Sequence, residues 1–220
     1  MLPIHNESRR VHFPLVTYAI IALNVIMFVL QMTFGDNFTL EYALVPANVV
    51  RGEALLTVLT SMFLHAGFLH IFSNMIYLWV FGPALEDVMG SIPYGIFYLL
   101  CGVAATVLQV VVNMNSQVPN LGASGAVAGV LGGYILLFPR DTIRTVSMIG
   151  GGMLSNRISA LVLIGFWFIL QLFSGLGSIA DLNSDQGGVA YFAHIGGFVA
   201  GVALVKLFAR RPPNNVAELI

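Results

Sequence analysis

Long apolar runs, each closed by glycine, proline, asparagine or charged residues, alternate along this chain with short polar connections. The first spans about Phe13 to Phe34 and ends at Gly35-Asp36-Asn37. A mixed stretch from Phe38 to Ala66 precedes the second, about Gly67 to Leu85, which stops before Glu86-Asp87. Pro93 opens the third, which runs to Val112 and gives way to Asn113-Met114-Asn115-Ser116. The fourth covers Leu121 to Phe138 and is closed by Pro139-Arg140; the fifth and sixth are Ile158 to Phe173 and Val189 to Phe208. Runs of this kind approach the roughly 20 residues a helix needs to cross a hydrocarbon core. The pattern predicts an all-α polytopic membrane protein, a bundle of six transmembrane helices over residues 13–208. Short tails are expected at 1–12 and 209–220, with no soluble second domain.

Composition removes the soluble alternative. Charged residues make up 9% of the chain and hydrophobic ones 58%, whereas a soluble domain carries roughly a quarter charged residues. The lone Cys101 lies in an apolar run, which excludes an internal disulfide framework and a Cys-rich metal site. With net charge −1 and no basic cluster, nucleic acid is not an expected partner; the lipid bilayer is.

Lysine and arginine give the orientation, because they are held back on the cytoplasmic side. With the N-terminus inside, Arg9, Arg10, Arg140, Arg144, Arg157, Lys206, Arg210 and Arg211 are all cytoplasmic, and only Arg51 falls outside. The expectation is N-in, C-in. The first run lacks a small-x-small cleavage site and follows a polar tail that is not Arg- and Ser-rich. Neither a cleaved signal nor a transit peptide is expected, and the expected location is a cell membrane, of the bacterial inner-membrane type.

Topology then concentrates the polar chemistry. The second, fourth and sixth spans run in one direction, so their first turns share a depth near the outer face. Within those turns lie His70 and Asn74, then Ser124, then His194, each on the order of 5 to 10 Å below its helix start. Polar groups at such a depth usually face the protein interior or a water-filled cavity. His70 and Asn74, four apart, share a helix face. Ser124, in Gly122-Ala123-Ser124-Gly125 and preceded by Pro119-Asn120, sits where a helix N-terminus leaves N–H groups free for an anion. Gly125, Gly129 and Gly133 on the fourth span, and Gly197 and Gly201 below His194, permit the close approach that a hydrogen bond of about 2.6 to 3.2 Å requires.

A serine hydroxyl needs a base, and a histidine can take its proton at neutral pH. Attack on a peptide carbonyl makes an oxyanion, for which His70, Asn74 and the Ser124 backbone N–H are candidate donors. Asp181 and Asp185 belong to the last outer loop, and no carboxylate accompanies His194 on its span, so the reading is a Ser124–His194 dyad. Each residue alone has a plainer explanation: Ser124 as helix packing, His194 as a hydrogen-bonded core histidine, Asn74 as interhelical glue, His65 as a structural or interfacial group. Together, at one depth, they demand four coincidences. A different class keeps its place: His70 and His194 as haem ligands, or His65, His70 and His194 around a metal. No H-E-x-x-H or acidic intramembrane ligand supports a metalloprotease, no transporter-like broken helices are evident, and no cofactor is expected.

Over about Leu44 to Gly201 the chain resembles the rhomboid intramembrane serine proteases. The residues that carry the resemblance are His65, His70 and Asn74 in an H-x-x-x-x-H-x-x-x-N element, Gly122-Ala123-Ser124-Gly125 as G-x-S-G, and Ala193-His194-Ile195-Gly196-Gly197 through Gly201 as A-H-x-x-G-x-x-x-G. The resemblance implies a six-helix core, a Ser124–His194 dyad and an oxyanion site from His70, Asn74 and the N–H groups of Ser124 and, less directly, Ala123. It also implies substrates that are single-span or polytopic membrane proteins, cut in a transmembrane helix near its outward end through an acyl-enzyme. The family's frequent Trp-Arg in the first loop is Val50-Arg51 here, and a tyrosine that some members place four residues after the nucleophile is Ala128. What steadies His194 is therefore open. A non-proteolytic relative that only binds membrane helices is the alternative, which an intact Ser124 and His194 disfavour.

Three further expectations concern the surroundings. Ala47 to Leu64 mixes apolar residues with Arg51 and Glu53 and is expected in the first loop, partly embedded in the interface. Ser174 to Ser178 and Asp185 to Gly188 bracket a last outer loop read as a flexible cap. Phe166, Trp167 and Phe168 mark the fifth span as a side gate, or else a lipid-facing aromatic cluster.

Overall fold

The computed structural model of the 220-residue chain describes residues 2–8, 11–149, 152–180 and 190–210. Arg9, Arg10, Arg211 and residues 181–189 of the expected cap, Asp181 and Asp185 to Gly188 among them, lie outside the described residues. Ser174 to Ser178, expected at the edge of that loop, are instead helical, because the helix of the fifth apolar run continues to Ala180.

The apolar runs form helices. α1 is Leu15–Tyr42, and Gly35, at φ 75° and ψ −161°, kinks it where the first run ends. Two short helices follow, α2 (Pro46–Val50) and α3 (Thr57–Thr60), with a 3-10 turn at Ser61–Phe63. Then come α4 (Phe68–Met89), α5 (Ser91–Val112), α6 (Ser124–Leu137), α7 (Ala160–Ala180) and α8 (Tyr191–Phe208). Among the described residues, α1, α4, α5, α7 and α8 are long and apolar enough to cross a membrane, and α6 is a shorter apolar helix. The chain is a multi-pass helical membrane protein.

Among the described residues, three strands depart from the helical pattern. Residues 2–6, expected as a tail, form β1 (Leu2–Asn6), which pairs with β2 (Thr142–Ile149); β2 pairs in turn with β3 (Gly152–Ser159), all antiparallel. In β2 the fully buried Ile143 and Thr145 flank the exposed Arg144, the alternation of a strand with one covered face. β1 carries Pro3 and is five residues long, so its pairing depends on a partner some 140 positions away. Its register, with Asn6 opposite Ile143, places the Asn6 side-chain amide 2.6 Å from the Val80 carbonyl inside the bundle.

The start of α1 shows how a buried charge is accommodated. Pro14 gives no side-chain cap, so the first N–H groups of α1 need acceptors from elsewhere. The buried Glu86 of α4 supplies them: it accepts from the N–H of Val16 at 2.9 Å, the N–H and hydroxyl of Thr17 at 2.7 Å, and the Ser91 hydroxyl at 2.6 Å. A negative charge is also well placed against the positive end of a helix dipole. Beside it, Asp87 accepts from the N–H groups of Val11 and His12.

α6 occupies the middle of the bundle, packed against α4, α5, α7 and α8, with Gly125 through Tyr134 buried. Its 14 residues span about 21 Å of the about 30 Å hydrocarbon core, so at least one end lies inside it. Its nearest neighbour is α8. A Cβ on Gly197 would overlap the Gly125 carbonyl, and one on Gly201 the Gly129 carbonyl. The two backbones touch because neither position carries a side chain.

Candidate active site

Ser124 is the first residue of α6, and the loop before it is tied down on two sides. Asn120 exchanges backbone hydrogen bonds with Leu44 at 2.7 and 2.9 Å, and the Gly122 N–H donates to the Ser61 carbonyl at 2.9 Å. Gly122 has φ 139°, and a Cβ there would stand 2.9 Å from the His70 ring, so only glycine fits the turn without strain. Ala123 is the N-cap residue; its carbonyl accepts from the Val127 N–H. The first N–H groups of α6 have no carbonyl partner within the helix.

His194 reaches the serine from the first turn of α8. Its Nε2 lies 2.8 Å from Ser124 Oγ. α8 is anchored by the buried Gln109 of α5, whose carbonyl accepts from the Ala193 N–H at 3.2 Å while its amide donates to Asn120 at 3.2 Å. One glutamine thus links the start of the histidine helix to the loop before the serine.

The other face of the imidazole is held by α7. His194 Nδ1 lies 2.7 Å from Gln171 Oε1, and the Trp167 ring packs against the imidazole at a centroid distance of 5.8 Å. Both ring nitrogens are engaged, so the haem and metal readings lose His194 as a free ligand. The aromatic cluster of the fifth span divides accordingly. Trp167 faces the histidine, Phe168 stacks on Phe198 at 4.0 Å, and Phe166, 62% exposed, points away.

His70 and Asn74 line the same cavity as Ser124 and His194, a space of about 680 Å³ that Tyr77 and Trp167 also border. The Ala66 N–H donates to His70 Nδ1 at 3.3 Å. That bond puts the proton of a neutral ring on Nε2, free to donate. The Asn74 amide nitrogen is buried and has no hydrogen-bond partner among the described residues. A buried donor left unpaired costs free energy unless something else uses it. His65 stands apart from the cavity: its ring packs edge-on against His70 at 5.1 Å. Burial, helped by the neighbouring His70, pulls its pKa down to about 3, so it is neutral at physiological pH.

The structure therefore brings four of the expected residues to one cavity. Sequence reasoning missed Gln171 and Gln109. A signal for Gln171 existed: it is a polar residue in an apolar run, four positions after Trp167 and so on its face. Gln109 is likewise a polar residue in an apolar run, but its partners lie on two other segments, which no spacing along its own helix reveals.

Comparison with known proteins agrees with this architecture. The family profile described as Rhomboid domain matches residues 52–211. The chain is similar to rhomboid protease GluP of Bacillus subtilis (31% identity, 86% of this chain and 34% of the relative). It is also similar to RHOMBOID-like protein 4 of Arabidopsis thaliana (32%, 75% and 37%) and to Rhomboid protein 1, mitochondrial, of Saccharomyces cerevisiae (29%, 84% and 51%). The chain spans between a third and about half of the length of these relatives.

Proposed function

The chain belongs to the rhomboid family, and from that premise we propose that it is an intramembrane serine endopeptidase using a Ser124–His194 dyad. The observation that carries the reading is the 2.8 Å separation of His194 Nε2 from Ser124 Oγ. At that distance the imidazole takes the hydroxyl proton as Oγ attacks a substrate carbonyl. The carbonyl oxygen becomes an oxyanion in reach of the Asn74 amide, His70 Nε2–H and the Ser124 and Ala123 N–H groups. As the intermediate collapses, His194 returns the proton to the leaving amine and an acyl group remains on Ser124. Water, deprotonated by His194, then releases it. The Asn74 donor, without a partner among the described residues, supports this reading, because an oxyanion is a group that would satisfy it.

The substrates are membrane proteins, single-span or polytopic, cut in a transmembrane helix near its outward-facing end. Ser124 begins a helix shorter than the bilayer core, which is compatible with a serine recessed below the outer surface to which the scissile bond comes. A helical peptide bond is shielded by its own hydrogen bonds and must unwind locally to offer its carbonyl. We assign the N-in, C-in orientation from the basic residues and place the enzyme in a bacterial cell membrane; relatives bear bacterial and mitochondrial names alike.

The test incubates the purified full chain with a single-span reporter substrate and, separately, with a small fluorophosphonate. The expected result is cleavage near the outward end of the helix, blocked when the phosphonate is found covalently on Ser124. An uncleaved reporter together with an unlabelled Ser124 overturns the reading in favour of a helix-binding relative. Asn74→Ala is expected to lower kcat by about 10²-fold, leaving slow cleavage because the backbone donors remain. An unchanged kcat would remove Asn74 from the oxyanion site.

A further inference from the structure

We propose that Gln171 is a positioning residue for His194, holding its imidazole in the tautomer in which it acts as a base. The inference rests on the Ser124–His194 reading. To take a proton from Ser124, Nε2 must present its lone pair, so Nδ1 must carry the hydrogen and find an acceptor. Gln171 Oε1, at 2.7 Å, is that acceptor. In the opposite tautomer Nε2–H would point at Ser124 and Nδ1 would be an acceptor facing a carbonyl oxygen. With its oxygen turned to Nδ1, Gln171 therefore favours the tautomer in which His194 is a competent base.

The surroundings leave this task to Gln171. His194 is 8% exposed, so little water is available to satisfy Nδ1. The carboxylates of α4, Glu86 and Asp87, are occupied by the start of α1 and the residues before it. Ala128 offers no ring to stack on the imidazole. Instead α7 supplies a two-part clamp, Trp167 against the ring and Gln171, one turn on, at Nδ1.

The clamp belongs to one face of its helix. Ile164 and Gly175 are buried and Trp167, Phe168 and Gln171 half-buried, while Phe166, Ile169, Leu170 and Phe173 are exposed. The spacing is that of a single inward stripe. The base is thus oriented only while that stripe is docked.

The experiment compares Gln171→Met, which keeps length and loses the acceptor, with Gln171→Glu, which keeps both. Each full-length variant is assayed for kcat and KM on the reporter substrate, for the rate of Ser124 phosphonylation by a small fluorophosphonate, and for thermal unfolding. The methionine variant is expected to lose about tenfold to a hundredfold in kcat and in phosphonylation rate. Its KM should stay within about twofold, and the glutamate variant should regain the wild-type rates. Wild-type phosphonylation in Gln171→Met, or a Gln171→Glu variant as slow as the methionine one, overturns the proposal. His194→Ala separates the two layers. If it phosphonylates at the wild-type rate, the dyad itself fails; if it is inert while Gln171→Met is unimpaired, only the positioning role fails.

Discussion

Ser124→Ala is expected to reduce cleavage of a transmembrane reporter by on the order of 10⁶-fold, and His194→Ala to come close to it. The two groups act as a unit. Without the hydroxyl there is no acyl-enzyme; without the imidazole 2.8 Å away, the hydroxyl keeps its proton. The double variant should therefore be no slower than the worse single one, a non-additivity that independent contributions would not give. What remains should be the slow reaction of water in a cavity that still binds the substrate and offers Asn74 and backbone donors to the oxyanion. The measurement is product formation by purified variants under single-turnover conditions. Cleavage by Ser124→Ala at more than about a hundredth of the wild-type rate would mean that another nucleophile does the work.

Gly197→Val is expected to damage catalysis and stability together without touching either member of the dyad. Gly197 lies three residues after His194, and Gly125 directly follows Ser124. A Cβ at Gly197 would overlap the Gly125 carbonyl, with Ala105 Cβ 3.4 Å away. The obstacle is backbone, so the helices must separate rather than a side chain rotate. Overpacking of this kind costs about 1 to 3 kcal/mol of stability, and a displacement of about 1 Å at the reacting atoms can cost 10²-fold in rate. The expected outcome is a lowered melting temperature, a kcat at least about 10²-fold down and a similar loss in fluorophosphonate labelling. Full labelling with wild-type kcat would show that the dyad tolerates a wider helix separation than the geometry allows. Gly177, around which a Cβ would meet nothing within 4 Å, is the control position on α7, where valine should cost little.

Several expectations survive contact with the structure because they depend on local chemistry. Gly35 ends the first run as a break in helical geometry, with φ 75°. The aromatic run of the fifth span is different. Composition made Phe166, Trp167 and Phe168 one cluster, but helical rotation divides it, turning Trp167 and Phe168 inward and Phe166 outward. β1 was illegible for another reason: five residues containing a proline carry little strand signal, and β2 supplies the pairing. The steadying of His194, open from Ala128, became a question of which helix lies beside α8. That helix is α7, through Gln171.

The sequence by itself determined that this chain spans a membrane, which segments are apolar enough to do so, and that His70, Asn74, Ser124 and His194 stand near the starts of apolar helices. Length, hydropathy and helical rise are local quantities, and they add along the chain. Only the tertiary structure decided that Ser124 and His194 touch, that Gln171 holds the second nitrogen, that Gln109 ties two of the segments together, and that the Asn74 amide finds no partner among the described residues. Those facts depend on helix rotation and on interaxial distances set by glycine-to-backbone contact, between residues 11 to 84 positions apart. A hydrogen bond is made or lost over less than 1 Å, a precision that no periodic pattern in a sequence carries.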